Sequence, residues 1–560
     1  MTIFSRIFFL SLIAIWYISL TAFGATTIHP DEKKALEAIA KSLGKKDWDF
    51  NIDPCSNKPN WVTPTIPHVY DNNVTCDCSV ANDNFCKFLV TLHFTEKKNI
   101  EIHNNQFSGN LPSEFGSLTK IQTLRFSSNN FSGELPATFG KLTTLLEFRI
   151  DDNQFTGKIP DYIRNWTSIN TLMIQGSGLS GPIPSGISFL KNLTELRISD
   201  LNGPESAPLP QLNNNTLLKT LVLRNCNING PLPEYLGTMT KLQHISLTDL
   251  SFNKLSGTIP KSYGDMIGAN YIFLTGNLLT GEVPSFGKKT NFDLSYNNFN
   301  ISQGNPICQN ENVNLFSPSW ARNNIGTDSC LKFVCQKPST SLYINCGGNQ
   351  VIVNGKTYED DSSLGGPATF HAYPTGNKAF STTGVFLGSA QAGETYSPQN
   401  ISKLTMEDPQ LYTRARISPI SLTYYGFCLQ NGSYTVNLHF AEIMIPDDLT
   451  YGSLGRRVFD IYLQEKLVQK DFNIAKEAGG VGKKIIKQFN NVLVTSNTLE
   501  IRLYWAGKGS QTLLNSSVRD ALISAISVEL SDFQPGNIAA KEAVQILVAT
   551  ITNIDEYNFF

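Results

Sequence analysis

Four arginines offer the clearest binding chemistry in this 560-residue sequence. Three of them recur at one position of short apolar segments, and the fourth lies two residues further along its own segment: Arg125, Arg149, Arg197 and Arg224. Guanidinium groups stacked on one face could hold a peptide carboxylate or a sulfate by paired hydrogen bonds. Carboxylates also occur nearby, at Asp151, Asp152 and Asp200. A solvated, mutually neutralising charged face is therefore the alternative interpretation.

A second set of side chains suits a carbohydrate ligand. Sugars present flat C–H faces that pack on aromatic rings, while their hydroxyls need a few polar partners. We expect such residues on loops of the C-terminal half, with the aspartates as hydroxyl acceptors: Tyr358, Asp360, Asp361, Phe370, Tyr373 and Phe380. Ordinary core packing is the alternative for each ring.

Signatures of catalysis, metal binding and nucleotide binding are missing or weak. The sequence contains no H-E-x-x-H, no G-x-S-x-G and no kinase signature. Cys76-Asp77-Cys78 is one residue too tight for the paired spacing of a zinc site. A net charge of −2 gives no reason to expect a nucleic-acid partner. We predict a protein that is not an enzyme and uses no cofactor or metal.

The arginines belong to a repeat that must position them. One slot recurs along the chain, first at 24-residue intervals, and is filled by Asn105, Asn129, Asn153, Ser177, Cys226, Asn253, Asn277 and Asn297. A short L-x-L segment precedes the slot. Because one such unit cannot bury its apolar face alone, the units must stack into a solenoid. A buried amide in the slot can bond backbone groups of neighbouring turns, and Cys226 is expected to be a free, buried thiol.

The C-terminal half alternates with period two instead, as in Tyr434, Val436, Leu438 and Phe440. This pattern predicts a β-sandwich from about Leu342 to Leu530. The predicted fold class is a leucine-rich-repeat solenoid of α/β-type repeats, mostly short strands and turns, followed by an all-β sandwich.

Six segments follow from these patterns. Arg6, an apolar run and Ala22-Phe23-Gly24 predict a signal peptide, and no later stretch is long and apolar enough to span a bilayer. We therefore expect a secreted or extracellular protein. The predicted boundaries are a signal peptide at 1–24, a cysteine-containing cap at 25–95, repeats at 96–305, a second cap and linker at 306–340, the sandwich at 341–531 and an atypical tail at 532–560.

Covalent features agree with secretion. Ten cysteines fit an oxidising compartment, and the disulfide candidates are Cys55, Cys76, Cys78, Cys86, Cys308, Cys330, Cys335, Cys346 and Cys428. Candidate glycosylation sites are Asn73, Asn130, Asn165, Asn192, Asn214, Asn300, Asn400, Asn431 and Asn515.

Several segments together resemble a known family. The run NKLSGTIP at Asn253–Pro260 is typical of plant leucine-rich repeats, and LYINCGG at Leu342–Gly348 resembles a malectin domain. The combination resembles the ectodomain of plant leucine-rich-repeat receptor-like serine/threonine kinases that carry one malectin domain. In that family a membrane helix and a kinase domain would follow, and this sequence stops before both.

The resemblance implies a plasma-membrane family that faces the cell wall and senses an oligosaccharide or a peptide, alone or together with another receptor ectodomain. It also implies a disulfide between Cys346 and Cys428. The predicted function is the ligand-recognition portion of a receptor kinase. Two alternatives are a secreted binding protein that acts as a decoy or co-receptor partner and, less favoured, a carbohydrate-active enzyme.

Overall fold

A computed structural model gives the fold. It describes residues 49–53, 72–77, 87–92, 99–104, 107–239, 241–242, 247–264, 266, 270–286, 290–299, 308–318, 335, 337–386, 396–400, 404, 406–445, 455–510 and 520–531. The predicted signal peptide and tail lie outside these residues, as do Cys55, Cys78, Cys86, Cys330, Asn300 and Asn515. Strands and α-helices are numbered below in chain order.

The first strands among the described residues form an antiparallel pair, β1 (Asn72–Asp77) and β2 (Lys87–Leu92). One strand from each successive turn then joins a long sheet, in which all neighbours are parallel except the last pair. Its strands are β3 (Asn99–Glu101), β5 (Thr123–Arg125), β7 (Glu147–Arg149), β9 (Thr171–Gln175), β10 (Glu195–Ser199), β12 (Thr220–Arg224), β14 (Leu247–Asp249), β16 (Tyr271–Phe273), β18 (Asn291–Asp293), β21 (Val313–Asn314) and β20 (Gln309–Asn310). This sheet is the inner strand face of the solenoid.

Shorter strands follow the slot residues and form two further parallel sheets. They are β4 (Ser108–Asn110), β6 (Asn130–Gly133) and β8 (Gln154–Phe155), then β11 (Ala207–Pro208), β13 (Ile228–Pro231), β15 (Lys254–Gly257), β17 (Leu278–Gly281) and β19 (Asn298–Phe299).

A helical segment then completes the turn. The 3₁₀ segments are Ser113–Ser117, Ala137–Lys141, Asp161–Asn165, Ser185–Phe189 and Lys261–Tyr263, and α1 (Glu234–Thr238) takes their place in one turn. Each begins directly after a proline, whose fixed φ and missing N–H suit a helix start.

The slot residues bond neighbouring turns together, as predicted. Asn253 donates to the carbonyls of Leu223 and Leu250 and accepts from the backbone N–H of Cys226. Cys226 is free and buried, and its thiol contacts the Ile198 carbonyl oxygen at 3.5 Å. The slot is therefore a ladder of buried hydrogen bonds that holds the stacked turns in register.

The residue just before the slot position adopts a left-handed backbone in turn after turn. We call these residues the left-handed row: Asn104, Ser128, Asp152, Gly176, Asp200, Asn225, Phe252, Gly276 and Tyr296. Only two are glycine, although Asn and Asp tolerate this conformation better than Ser, Phe or Tyr. The row lies at the end of each inner-face strand, where the chain turns away from the sheet.

The C-terminal domain is a sandwich of two six-stranded sheets. Sheet A consists of β23 (Val351–Val353), β24 (Lys356–Asp361), β22 (Ser341–Cys346), β35 (Ala525–Leu530), β29 (Gly432–Ala441) and β32 (Lys484–Val494). Sheet B consists of β25 (Ala368–Ala372), β26 (Lys378–Thr383), β28 (Ser421–Gly426), β33 (Leu499–Tyr504), β30 (Phe459–Leu463) and β31 (Lys466–Phe472). A small pair, β27 (Arg416–Ser418) and β34 (Ala521–Ile523), a 3₁₀ turn at Pro409–Tyr412 and α2 (Ile474–Ala478) complete the domain.

The predicted cysteine pairing was wrong. Cys428 is bonded to Cys335, while Cys346 is a free thiol buried in the sandwich core. The reason is the path of the linker: the backbone N–H of Ser339 bonds the Cys428 carbonyl oxygen at 2.7 Å, so the chain enters the sandwich beside Cys428. Cys308 is disulfide-bonded as well.

Among the described residues, no helix is long and apolar enough to cross a membrane.

Candidate recognition surface and interdomain seam

The N-terminal arginines of the inner face are held by glutamates. Arg125 donates to Glu101 at 3.0 Å and to Glu147 at 2.8 Å, and Arg149 also pairs with Glu147. Burial alone would raise the pKa of Glu147, but the Arg125 hydrogen bond and the charge of Arg149 bring it below its ordinary value. The side chains of Arg125 and Arg149 keep 30% and 24% of their surface exposed. The charges are thus neutralised by glutamates of the strands rather than by the three predicted aspartates.

Arg224 lies in a different environment, because the sandwich covers it. Its side chain is 2% exposed and forms ion pairs with Asp200 at 3.4 Å and Asp249 at 3.2 Å. From the sandwich, Tyr504 contributes a hydroxyl at 3.1 Å, and the Trp505 ring lies 4.9 Å from the guanidinium carbon. Arg224 is therefore buried between the two domains, and its role in ligand binding stays a prediction. Arg197 lies between these extremes and pairs with Glu195.

The contact between the solenoid and sheet B is called the seam. Strand β33 shows how it forms: Leu499, Ile501 and Leu503 enter the sandwich core, while Glu500, Arg502 and Tyr504 point to the solenoid. Strand residues alternate between the two faces, so both faces of this strand are covered.

The left-handed row supplies several contacts on the solenoid side of the seam. The Ser128 hydroxyl donates to the Gly509 carbonyl oxygen at 3.0 Å, and Arg456 bonds Asp152 at 2.6 Å. Further along the row, the Tyr504 hydroxyl donates to Asp200 at 2.6 Å.

One contact brings two glycine backbones together. A Cβ on Gly176 would lie 2.6 Å from the carbonyl oxygen of Ala506, and a Cβ on Gly507 would lie 2.6 Å from the backbone nitrogen of Gly176. Both positions must therefore be glycine for this approach.

Aromatic rings seal the C-terminal end of the seam. Phe316 of the solenoid cap stacks on Phe370 of β25 with ring centroids 4.0 Å apart, and Tyr425 meets Phe316 edge to face at 4.7 Å. Backbone contacts support them, since the Phe370 N–H donates to the Gln309 side chain at 2.8 Å. Aromatic pairs of this kind stabilise contacts beyond the area they bury.

A cleft remains between the two domains, with an accessible volume of about 40 Å³. Apolar side chains from both domains form most of its wall, including Val222, Phe273, Val385, Ile420 and Trp505, and charged groups are present at Arg197, Arg224, Asp249 and Asp520. One water needs roughly 10–15 Å³ of accessible volume, so the cleft has room for a few waters or one small side chain. A sugar ring does not fit this cleft as it stands.

The residues predicted to bind sugar lie mostly on strands, so their expected placement on loops was wrong. Tyr358, Asp360 and Asp361 belong to β24, Phe370 to β25 and Phe380 to β26, whereas Tyr373 follows β25. The physical reason is that these rings and Asp361 complete the interior: Tyr358, Asp361, Phe370 and Phe380 are buried, while Asp360 and Tyr373 are partly exposed. Their role as ligand-binding residues stays a prediction.

Asp361 instead organises a buried polar cluster. It forms an ion pair with Arg416 at 2.8 Å, and it accepts hydrogen bonds from the hydroxyls of Tyr424 and Tyr373 and from the Gly347 N–H. The Arg416 guanidinium lies 3.8 Å above the Phe380 ring. The sequence analysis missed Arg416, because a single arginine between apolar residues gives no signal of its partner.

Several sequon asparagines are exposed, namely Asn130, Asn165, Asn192, Asn214 and Asn431, and Asn400 is partly exposed. Asn73 lies in β1. Glycosylation of these sites stays a prediction.

Comparison with known proteins agrees with this architecture. Residues 340–526 match the Malectin domain family, and residues 120–142 and 217–239 match the Leucine Rich Repeat family. A probable LRR receptor-like serine/threonine-protein kinase of Arabidopsis thaliana is 40% identical over 94% of this chain and 60% of its own length. The chain thus combines leucine-rich repeats with a malectin domain and is similar, over most of its length, to a leucine-rich-repeat receptor-like kinase.

Other relatives match over smaller parts. Two further Arabidopsis thaliana proteins, both probable receptor-like serine/threonine-protein kinases with leucine-rich repeats, are 46% and 45% identical over 50% and 51% of this chain, and the chain spans 28% of each. Of the solved structures, a TDR receptor is 33% identical over 36% of this chain and 39% of its own, with a TM-score of 0.33. The plant peptide hormone receptor RGFR1 in complex with RGF2 is 29% identical over 36% of this chain and 32% of its own, with a TM-score of 0.34.

Proposed function

We propose that this chain is the extracellular ligand-recognition portion of a receptor-like kinase, and that it recognises a peptide. The observation that carries the proposal is the cleft at the seam, because both domains contribute to its wall. A ligand bound there touches the solenoid and the malectin domain together. Signalling through a kinase domain, as in the relatives, is part of the proposal.

The chemistry of the cleft favours a peptide over a sugar. Its wall is mainly apolar, with Val222 and Phe273 of the solenoid facing the cleft together with Ile420 of the malectin domain. Sugar sites need an exposed ring with polar groups beside it, but Phe370 and Phe380 are used in packing. An apolar peptide side chain can enter such a cleft while the peptide backbone bonds polar groups at its rim.

The test is selection of a random peptide display library on the mature chain, with a cell-wall oligosaccharide array run in parallel. Val385 is partly exposed and lines the cleft, so V385W should fill it with little effect on folding. Selected peptides should carry an apolar anchor and bind V385W at least about tenfold more weakly, a loss of about 1.4 kcal/mol.

The matched control is I352W, because Ile352 is 65% exposed and lies on β23, at the edge of sheet A. This variant should bind selected peptides like the wild type. Saturable binding of an oligosaccharide with no peptide selected would contradict the peptide proposal and favour the oligosaccharide alternative. Peptide binding that V385W leaves unchanged would contradict the cleft as the site.

A further inference from the structure

Two buried carboxyl groups at the seam have no cation bonded to them within the described residues. The first is Glu500 of β33, which is fully buried. Its Oε2 accepts a hydrogen bond from the Tyr296 hydroxyl of the solenoid at 2.8 Å, while its Oε1 has no hydrogen-bond partner among the described residues. A carboxylate oxygen without a donor is costly in a dry interior, so this environment favours the protonated acid.

Among the described residues, the charged and titratable groups around Glu500 form no direct ion pair with it. Arg502 follows on the same strand, but its guanidinium lies over the rings of Phe252 at 5.6 Å and Tyr462 at 4.7 Å. Glu465 adds a like charge, and the Tyr425 hydroxyl bonds Tyr296 at 2.7 Å. Burial therefore dominates and raises the pKa of Glu500 to about 7, against the lowering effects of Arg502 and Tyr296.

The second group is Asp293 at the end of β18, which is also fully buried. Across the seam, the Thr383 hydroxyl donates to its Oδ2 at 2.5 Å, and on its own side the Ser295 hydroxyl donates to Oδ1 at 2.6 Å. Asp249, the charged group that acts on it, is another acid. Burial raises the pKa of Asp293 to about 6, while the Ser295 and Thr383 hydrogen bonds lower it.

A third carboxylate at the seam, Asp152, differs because Arg456 pairs with it. Burial raises its pKa to about 6, while Arg456 and Lys508 lower it and Asp151 raises it. Asp152 is therefore accompanied by a cation in the docked state, unlike Glu500 and Asp293.

We propose that the malectin domain is a reversible cover on the inner face of the solenoid, and that its docking takes up protons at Glu500 and Asp293. Separation of the domains would return both groups to water and would uncover apolar side chains of the solenoid such as Val222, Phe252 and Phe316. This inference goes beyond the proposed function and does not depend on the ligand.

The direction of the pH effect follows from linkage. Both groups hold their proton more tightly when docked than in water, where their ordinary pKa values are 4.5 and 3.8. Their contribution to docking is therefore fully present below those ordinary values and is lost as pH rises through about 6 for Asp293 and about 7 for Glu500. Docking should be tighter in acid than at neutral pH.

Hydrogen exchange of the full chain measures this equilibrium. Exchange is followed by mass spectrometry at pH 5, 6 and 7.5 in peptides that cover Phe370 and Gly509, whose backbone N–H groups bond Gln309 and Asp152 of the solenoid across the seam. We call these N–H groups the seam amides, and each rate is corrected for the intrinsic pH dependence of amide exchange. We expect protection of these peptides at pH 5 to exceed that at pH 7.5 by at least about tenfold.

Neutral isosteres identify the groups responsible. E500Q and D293N should each remain more protected than the wild type at pH 7.5 and should show a flatter pH profile. The matched control is E529Q, because Glu529 lies on sheet A, is partly exposed and pairs with Lys356 away from the seam. Its seam peptides should follow the wild-type pH profile.

Equal protection at pH 5 and 7.5 would overturn the proposal, and so would protection that falls in acid. A pH profile that neither E500Q nor D293N changes would also overturn it. The two variants lie in different domains, so a folding defect in one leaves the other as the test.

Discussion

Two regions of the inner face use arginine for different purposes. Among the N-terminal strands, Arg125 is 30% exposed and lies between two glutamates of its own sheet. Near the middle of the sheet, Arg224 is 2% exposed and bonds the solenoid and the malectin domain at once. Arg224 lies opposite Ser199, two residues further along its strand than the position that Arg125 and Arg197 occupy. Position along the strand therefore decides whether the second domain reaches an arginine.

The largest expected effect is the loss of Arg224. R224A would leave Asp200 and Asp249 buried without their cation and would remove the group beneath Trp505. Removing one partner of a buried ion pair costs about 3–5 kcal/mol. Urea unfolding, followed by tryptophan fluorescence, should show this loss as a lower midpoint.

A change smaller than about 1 kcal/mol in R224A would contradict the view that Arg224 supports the seam. R164A is a suitable control, because Arg164 is also a solenoid arginine on an aromatic ring, that of Phe189, but both residues are exposed.

The next effect tests how closely the domains approach. In G507A, the new methyl group would meet the Gly176 backbone nitrogen at 2.6 Å, and this backbone cannot shift unless the domains separate. The left-handed conformation, with φ at +73°, adds strain. We expect a loss of about 2–4 kcal/mol, and lower protection of seam amides in hydrogen exchange.

The control variant G230A tests backbone strain without any contact across the seam. Gly230 has a φ of +82°, but nothing lies within 4 Å of the position that its Cβ would occupy. This variant should lose only about 1–2 kcal/mol and should leave the seam amides protected. Equal effects of G507A and G230A on those amides would mean that the close glycine contact contributes nothing to docking.

The repeat could be predicted because most turns carry the same residue types at the same positions. Most turns place a small polar or sulfur-containing side chain in the slot, and Asn129, Asn153 and Asn253 each bond three backbone carbonyls there. In the turn that contains Asp200, the buried side chain of Leu201 fills the slot instead. The interpretation of Cys226 as a free, buried thiol was confirmed for the same reason. The alternation of β29 likewise indicates a sandwich, since one period-two face must be buried.

The seam could not be predicted, because its residues satisfy local rules for a solvent-facing strand. Glu500, Arg502 and Tyr504 occupy the polar face of β33, and only the approach of another domain buries them. The prediction that Phe370 lies on a loop was wrong for a similar reason, because its partner Phe316 is 54 residues away in the sequence. Pairings over such distances leave no periodic signal in one sequence.

The smallest expected loss of stability is that of removing Arg125, among the N-terminal strands of the inner face. R125A removes two ion pairs, but both glutamates remain partly exposed to water, with 28% of the Glu101 side chain and 14% of the Glu147 side chain accessible. Ion pairs of this kind contribute about 0–1 kcal/mol, so the urea midpoint should move little and the seam amides should keep their protection. A loss as large as that of R224A would show that the glutamate–arginine ladder bears on the stability of the whole chain. Arg125 and Arg224 would then differ in their exposure to water and not in their contribution to stability.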